Sequence, residues 1–252
     1  MSTRPPRLAL LAAMSLVVPL AGCGGGGDGG TTITVLAAAS LTGTFTELAD
    51  DFEQDHDGVH VKLAFDSSAT LAQQALDGAP ADVLATADTT TMDSASDALE
   101  GDPELFATNT MVLVTPADNP AGITGFEDVV SDADLTYVAC VDTAPCGKVA
   151  AALLEDNDAT THPASLEVDV KAVLAKVTSG EADAGLVYAT DAVAAGDTVR
   201  TFSVPHADEE VTSYPIATLR QSGDPAVAQE FVDLVLSDRG QRLLSDAGFG
   251  PP

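Results

Sequence analysis

Between Val35 and Leu76 the chain twice runs a short apolar segment into a hydroxyl residue at the start of a helical stripe. In the first copy Val35-Leu36-Ala37-Ala38-Ala39 leads to Ser40 and Thr42, and Leu41, Phe45, Leu48, Ala49 and Phe52 then recur at the spacing of one buried helix face. In the second, Val59-His60-Val61-Lys62-Leu63-Ala64-Phe65 alternates as a half-buried strand does, then passes through Asp66 and Ser67 to Ser68, with Leu71, Ala75 and Leu76 on one face behind it. Ser40 and Ser68 read as N-caps. A strand that ends at a helix start, repeated, predicts an α/β chain with a largely parallel sheet, and such sheets bind ligands at the carboxyl ends of their strands. Both serines stand at such ends. The first amides of a helix lack internal partners and carry the positive end of its dipole, so they can hold an anion with no basic side chain present.

The rest of the chain continues the alternation. Ala79-Pro80-Ala81-Asp82 leads into a short buried strand over residues 83–87, and residues 110–115 predict another strand ahead of a turn-rich connection, 116–125, read as the first crossing between two lobes. Residues 135–139 predict a strand, followed by the loop Asp142-Thr143-Ala144-Pro145-Cys146-Gly147 and a helix through Val149, Leu153 and Leu154. A further helix starts near Val170, runs through Val173, Leu174 and Val177 and stops at Gly180. Residues 184–188 form a strand ending in Tyr188, Tyr214-Pro215-Ile216 opens the strand that returns to the first lobe, and Asp224-Pro225 caps a closing helix. Lobe I is thus expected over 33–115 plus 214–252, and lobe II over 116–213.

The N-terminus predicts export. Arg4 and Arg7 precede an apolar run from Leu8 to Leu20, too short to span a bilayer, and then Leu20-Ala21-Gly22-Cys23. Residues 1–22 read as a lipoprotein signal peptide whose removal leaves a lipidated Cys23, and residues 23–32 as a Gly-rich tether to the folded part. Gly24, Gly26 and Gly29 match the dinucleotide fingerprint by spacing, but no strand precedes them. Setting Cys23 aside leaves Cys140 and Cys146, an even pair in an exported chain, for which a disulfide is expected.

Composition excludes several functions. The chain has 10 Lys and Arg against 39 Asp and Glu, a net charge of −29. Removing the two arginines with the signal leaves 8 against 39, or −31, so nucleic acid and anionic lipid surfaces are poor partners. The four His, at 56, 60, 162 and 206, show no metal-ligand spacing. There is no Gly-x-Ser-x-Gly elbow and no Ser, Asp and His arrangement that suggests a triad. No enzyme and no cofactor is expected. What remains is anion binding at helix starts: Ser40 and Ser68 in one lobe, Cys146 and Val170 in the other, and Tyr188 at a strand end. Lys148 and Lys171 fall beside these positions and are expected to steer the ion inward.

Ala37-Ala38-Ala39-Ser40-Leu41-Thr42, Ser67-Ser68-Ala69-Thr70-Leu71-Ala72, Gly78-Ala79-Pro80-Ala81-Asp82-Val83 and Ala87-Asp88 resemble the periplasmic molybdate-binding protein family, ModA. Gly185-Leu186-Val187-Tyr188-Ala189-Thr190-Asp191-Ala192 and Tyr214-Pro215-Ile216-Ala217 extend the resemblance across nearly the whole mature chain. It implies the type II periplasmic-binding-protein fold, two α/β lobes joined by a two-strand hinge. It also implies that a molybdate or tungstate ion is held by Ser40 and Ser68 through hydroxyl and amide, by the amides of Cys146 and Val170, and by the Tyr188 hydroxyl. The implied partners are an ABC transporter permease with its ATPase and the membrane, through the lipid anchor, for a chain that is itself a monomer. Cys146 stands where a small residue is expected, which leaves an amide donor intact. Asp66 beside Ser68 is a second departure, since a carboxylate facing the site repels a dianion. The alternatives are a binder of another oxyanion or a small organic acid, or an exported hydrolase.

Overall fold

The computed structural model describes residues 30–252; the expected signal peptide, Cys23 and most of the tether lie outside them. In chain order the elements are β1 (Thr31–Ala38), α1 (Thr42–Asp55), β2 (Val59–Asp66), α2 (Ser68–Leu76), β3 (Val83–Ala85), α3 (Thr89–Ser94), β4 (Leu99–Asn109) and β5 (Met111–Pro116). Then come α4 (Phe126–Ser131), β6 (Tyr137–Cys140), α5 (Pro145–Asp156), β7 (Ser165–Glu167), α6 (Val170–Thr178), β8 (Ala184–Tyr188), α7 (Ala189–Ala195) and β9 (Val199–Ser203). β10 (Thr212–Leu219), α8 (Pro225–Leu236) and α9 (Asp238–Asp246) close the chain.

These strands build two five-stranded sheets, ordered β2-β1-β3-β10-β4 and β7-β6-β8-β5-β9. Each is mixed rather than largely parallel. β1 runs parallel to β2 and β3, and β6 parallel to β7 and β8, as strands joined by helical crossovers must. β10 is antiparallel to β3 and β4, and β5 to β8 and β9, because these strands arrive from the other lobe. The first crossing differs from the expected one. β5 pairs with β8 and β9 in the second sheet, so the chain changes lobes at Thr110 and not after Thr115. An apolar run bounded by Pro116 has no periodicity that says which sheet it joins. β4 was not anticipated either. It carries Gly101 and Pro103, residues that interrupt a central strand, and it is tolerated at the sheet edge, where its pairing with β10 shifts register.

Apolar stripes explain the layers. Phe45, Leu48 and Phe52 of α1 pack with Phe231 of α8 over Ile33 and Val35, and Phe45, Phe52, Phe106 and Phe231 meet ring to ring. On the opposite face Leu71 and Met92, from α2 and α3, cover Leu36 and Leu84. In the second lobe Leu153, Val173 and Val177 cover Val138 and Leu186. Two glycines permit the closest approaches. A methyl group on Gly185 would lie 2.8 Å from both Val173 Cγ1 and Val177 Cγ2, so only glycine lets α6 rest on β8. A methyl group on Gly147 would overlap the Val141 carbonyl oxygen, so glycine seats the start of α5 against the end of β6.

Candidate functional site

β1, β2, β6 and β8 all point their carboxyl ends at the gap between the sheets, and each is followed there by a helix or a helical turn. Ser40 lies in a single 3-10 turn, Ala39–Leu41, between β1 and α1. Ser68 is the first residue of α2. Across the gap, Cys146 follows Pro145 at the start of α5, and Val170 is the first residue of α6. Tyr188 ends β8. All five residues line one cavity, with Ser40 and Ser68 on one wall and Cys146, Val170 and Tyr188 on the other.

The serines are not the N-caps the sequence suggests. Neither the turn at Ser40 nor α2 has a side-chain cap, and both hydroxyls are engaged elsewhere. Ser68 Oγ accepts from the Ala87 amide at 3.0 Å. Ser40 Oγ lies 3.0 Å from the Tyr214 hydroxyl oxygen. A hydroxyl has one proton to give, so a Ser68 that accepts from a backbone amide keeps its proton for a guest.

Tyr188 is the most informative residue. Its side chain is 1% exposed, and its hydroxyl has no aligned hydrogen-bond partner, with Thr212 and Tyr214 as its nearest polar neighbours. A buried hydroxyl without an aligned partner costs about 1–3 kcal/mol, and Tyr188 lines the cavity. Burial, and then the neighbouring Tyr214, push its pKa well above that of an ordinary tyrosine, so it stays a neutral donor.

Two carboxylates line the cavity, Asp66 and Asp169, and no lysine or arginine does. Asp66 Oδ1 accepts from the Ser67 amide at 2.6 Å, and Asp169 caps α6 by accepting from the Ala172 amide at 2.9 Å. Each charge is thus turned toward backbone donors, which is how an anion site tolerates it. The expected steering lysines are committed elsewhere. Lys148 Nζ is 2.7 Å from Asp88 Oδ2, and Lys171 Nζ is 2.8 Å from Asp191 Oδ1. Asp191 is wholly buried, and neither of its oxygens has an aligned hydrogen bond, so Lys171 meets it as a charge pair. Burial raises the Asp191 pKa, and Lys171 opposes that shift.

Behind the second wall, Cys140 and Cys146 form a disulfide that ties the end of β6 to the start of α5. The cavity volume is about 20 Å³, close to the smallest that holds a water. The rest of its lining is largely alanine, so only a compact guest fits without rearrangement. Among the described residues, no group of three or more His, Cys, Asp or Glu could hold a metal ion. None of the described helices is long and apolar enough to cross a membrane. Sequence reasoning missed Ser67, Asp169, Asn109 and Tyr214. An aspartate ahead of an apolar helical stripe is a legible cap signal for Asp169; Tyr214 and Asn109 do not line the cavity and come together behind Ser40 only by folding.

Residues 33–250 match the family model described as bacterial extracellular solute-binding protein. The chain belongs to that family. A curated member, the molybdate-binding protein ModA of Mycobacterium tuberculosis, is 41% identical over 254 residues, covering 96% of this chain and 97% of its own. Among solved structures, the periplasmic molybdate-binding protein of Azotobacter vinelandii superposes with a TM-score of 0.77 at 20% identity, covering 87% of this chain and 99% of that one. The sulfate-binding protein SubI of Mycobacterium tuberculosis superposes at 0.74 with 18% identity, covering 88% and 87%. This solute-binding protein therefore has the two-lobed periplasmic-binding-protein fold. Fold alone does not separate one tetrahedral oxyanion from another.

Proposed function

We propose that this solute-binding protein captures molybdate, and tungstate with it, outside the cytoplasmic membrane and delivers the ion to the permease and ATPase of an ABC importer. It acts as a monomer without catalysis and without a cofactor. A lipid on Cys23 holds it at the membrane, and residues 23–32 give it reach. The ion is held by the hydroxyls of Ser40, Ser68 and Tyr188 and by the amides of Ser40, Ser68, Cys146 and Val170.

The observation that carries this reading is a buried Tyr188 hydroxyl without an aligned partner, on a residue that lines a cavity whose two walls come from different lobes. A guest that pairs with it relieves a buried cost and bridges the lobes, so binding and closure are one event. About seven uncharged donors face the guest, and a charge-assisted hydrogen bond contributes roughly 1.5–3 kcal/mol. Their sum exceeds the cost of stripping water from a compact dianion only if nearly all are satisfied, which favours a tetrahedral ion over a flat carboxylate. The net charge of −29 does not prevent this: at physiological salt the Debye length is about 8 Å, so surface carboxylates are screened from an enclosed site.

A second reading, sulfate as the ion, follows from the same donor set, because sulfate is also a fully ionised tetrahedral dianion. Thermal unfolding of the mature chain with molybdate, tungstate, sulfate and phosphate in turn separates the two. At a ligand concentration near 100 times Kd, stabilisation is about 2.7 kcal/mol. A shift with sulfate equal to that with molybdate would overturn the assignment.

A further inference from the structure

The proposed donors of lobe I and those of lobe II are spaced in different ways. β1 and β2 are neighbours whose ladder pairs Ala38 with Asp66, so Ser40 and Ser68, each two residues further on, take their spacing from the sheet. Lobe II has no such ladder between Val170 and Tyr188. Val170 follows β7 and Tyr188 ends β8, and these strands lie on opposite sides of β6. Val173 and Val177 pack over Gly185 and seat α6 on β8, but apolar contact is non-directional and does not by itself set where the helix starts. Lys171 and Asp191 supply the missing tie. Lys171 follows Val170, and Asp191, in the first turn of α7, stands three residues after Tyr188. Nζ and Oδ1 are 2.8 Å apart, with Asp191 wholly buried and Lys171 33% exposed. Burial favours the neutral carboxyl of Asp191, while Lys171 and the Tyr188 backbone favour the carboxylate.

We propose that Asp191 is a positioning residue: through Lys171 it sets the start of α6 against the end of β8, and so sets the spacing of the Val170 and Tyr188 donors that a guest must bridge. A buried ion pair is a poor source of stability, because taking charge out of water costs about as much as the attraction returns. Its use here is to fix where two segments meet. The pair is neutral as a whole, so it adds no net charge beside a dianion. Neither residue lines the cavity, and the spacing is thus set one layer behind the groups that touch the ion. The inference rests on the oxyanion reading of this cavity.

The test is calorimetric titration of molybdate into native protein, Asp191→Asn, Lys171→Met and the double variant, with the denaturant midpoint of each measured beside it. Each single variant leaves one group without its partner and is expected to lose stability and to bind about tenfold more weakly, the worth of one hydrogen bond to a charged group. The double variant leaves no charge unpaired, so its stability should return toward native. Its affinity should stay about tenfold low, because nothing then ties the start of α6 to α7. Added to Tyr188→Phe, the same double change should cost only about threefold, since one of the two positioned donors is already gone. Affinity that recovers together with stability would reduce the pair to a structural role and overturn the proposal, and so would an undiminished tenfold loss in the Tyr188→Phe background. Tighter binding in Asp191→Asn with weaker binding in Lys171→Met would overturn it too, by showing that the charges act on the ion through space. Should a single variant fail to fold, the double variant decides by the same criteria. A native protein that binds no oxyanion would overturn the oxyanion reading and this inference with it.

Discussion

Lys148 Nζ on α5 meets Asp88 Oδ2, at the start of α3, at 2.7 Å across the cleft. Among the described residues it is the one ion pair that joins the two lobes. Asp88 follows Ala87, whose amide holds Ser68, and Lys148 stands two residues after Cys146, so the pair bridges the two walls beside the cavity. Lys148 is 40% exposed and Asp88 16%, which limits the contribution to the range of partly screened pairs. Asp88→Asn keeps an N-cap for α3 and removes the charge. Asp88→Asn and Lys148→Gln are each expected to speed anion dissociation about threefold, and the double variant no more than either one. Additive effects in dissociation kinetics would show that Lys148 acts on the ion and not on Asp88.

Tyr188→Phe separates affinity from stability. In the ligand-free protein the hydroxyl is buried without a partner, so deleting it removes a cost, and the variant is expected to unfold at higher denaturant by about 1 kcal/mol. With the guest bound the same hydroxyl is a donor, and its loss should weaken binding by about 1–3 kcal/mol. Opposite signs in a denaturant midpoint and in a calorimetric Kd are the expected result. A variant that is less stable when empty would mean that the hydroxyl has a partner in the fold.

How far the sequence carried is visible in particular residues. Phe45, Leu48 and Phe52 declare α1 by spacing, and the alternation from Val59 to Phe65 declares β2, because burial of one face imposes a period that the order of residues reveals. The five cavity residues were named because four sit at helix or turn starts and Tyr188 ends a strand, positions that local pattern marks. Ser40 and Ser68 were placed correctly at those starts and misread as caps, since a hydroxyl's partner depends on what folds beside it: Tyr214 comes to Ser40 from 174 residues away. The lobe boundary failed for a similar reason. Met111 to Pro116 is apolar on both faces, and only pairing with β8 and β9 assigns it to the second sheet.

The Cys140 to Cys146 disulfide should matter to the cavity as well as to the fold. It closes a loop with a sequence separation of 6, for which chain entropy predicts about 2 kcal/mol of stabilisation. Cys146 also lines the cavity from the start of α5, so the same bond fixes a proposed donor to the sheet. Reduction with a non-thiol phosphine is expected to lower Tm by several degrees, on the order of 5 °C, and to weaken anion binding at a temperature well below Tm. Thiol titration verifies that two groups have been released. A reduced protein with native affinity would limit the bond to a structural role.

The three tyrosines give the protein a defined alkaline limit. Burial raises the pKa of Tyr137, Tyr188 and Tyr214 above the ordinary value, and these are all the tyrosines in the chain. Below about pH 10, where an unfolded tyrosine titrates, the phenols are neutral in both states and their contribution to stability does not change. As pH rises beyond that, the unfolded chain releases protons that the native chain retains, so the unfolded state is favoured and stability falls. Phenolate absorbance is therefore expected to stay flat through pH 10 and then to rise together with loss of the circular dichroism signal, in one cooperative step. The Tyr188 hydroxyl remains a donor throughout that range, so anion affinity should hold until the fold is lost. A phenolate step near pH 10 in a protein that is still folded would place at least one of these rings in contact with solvent.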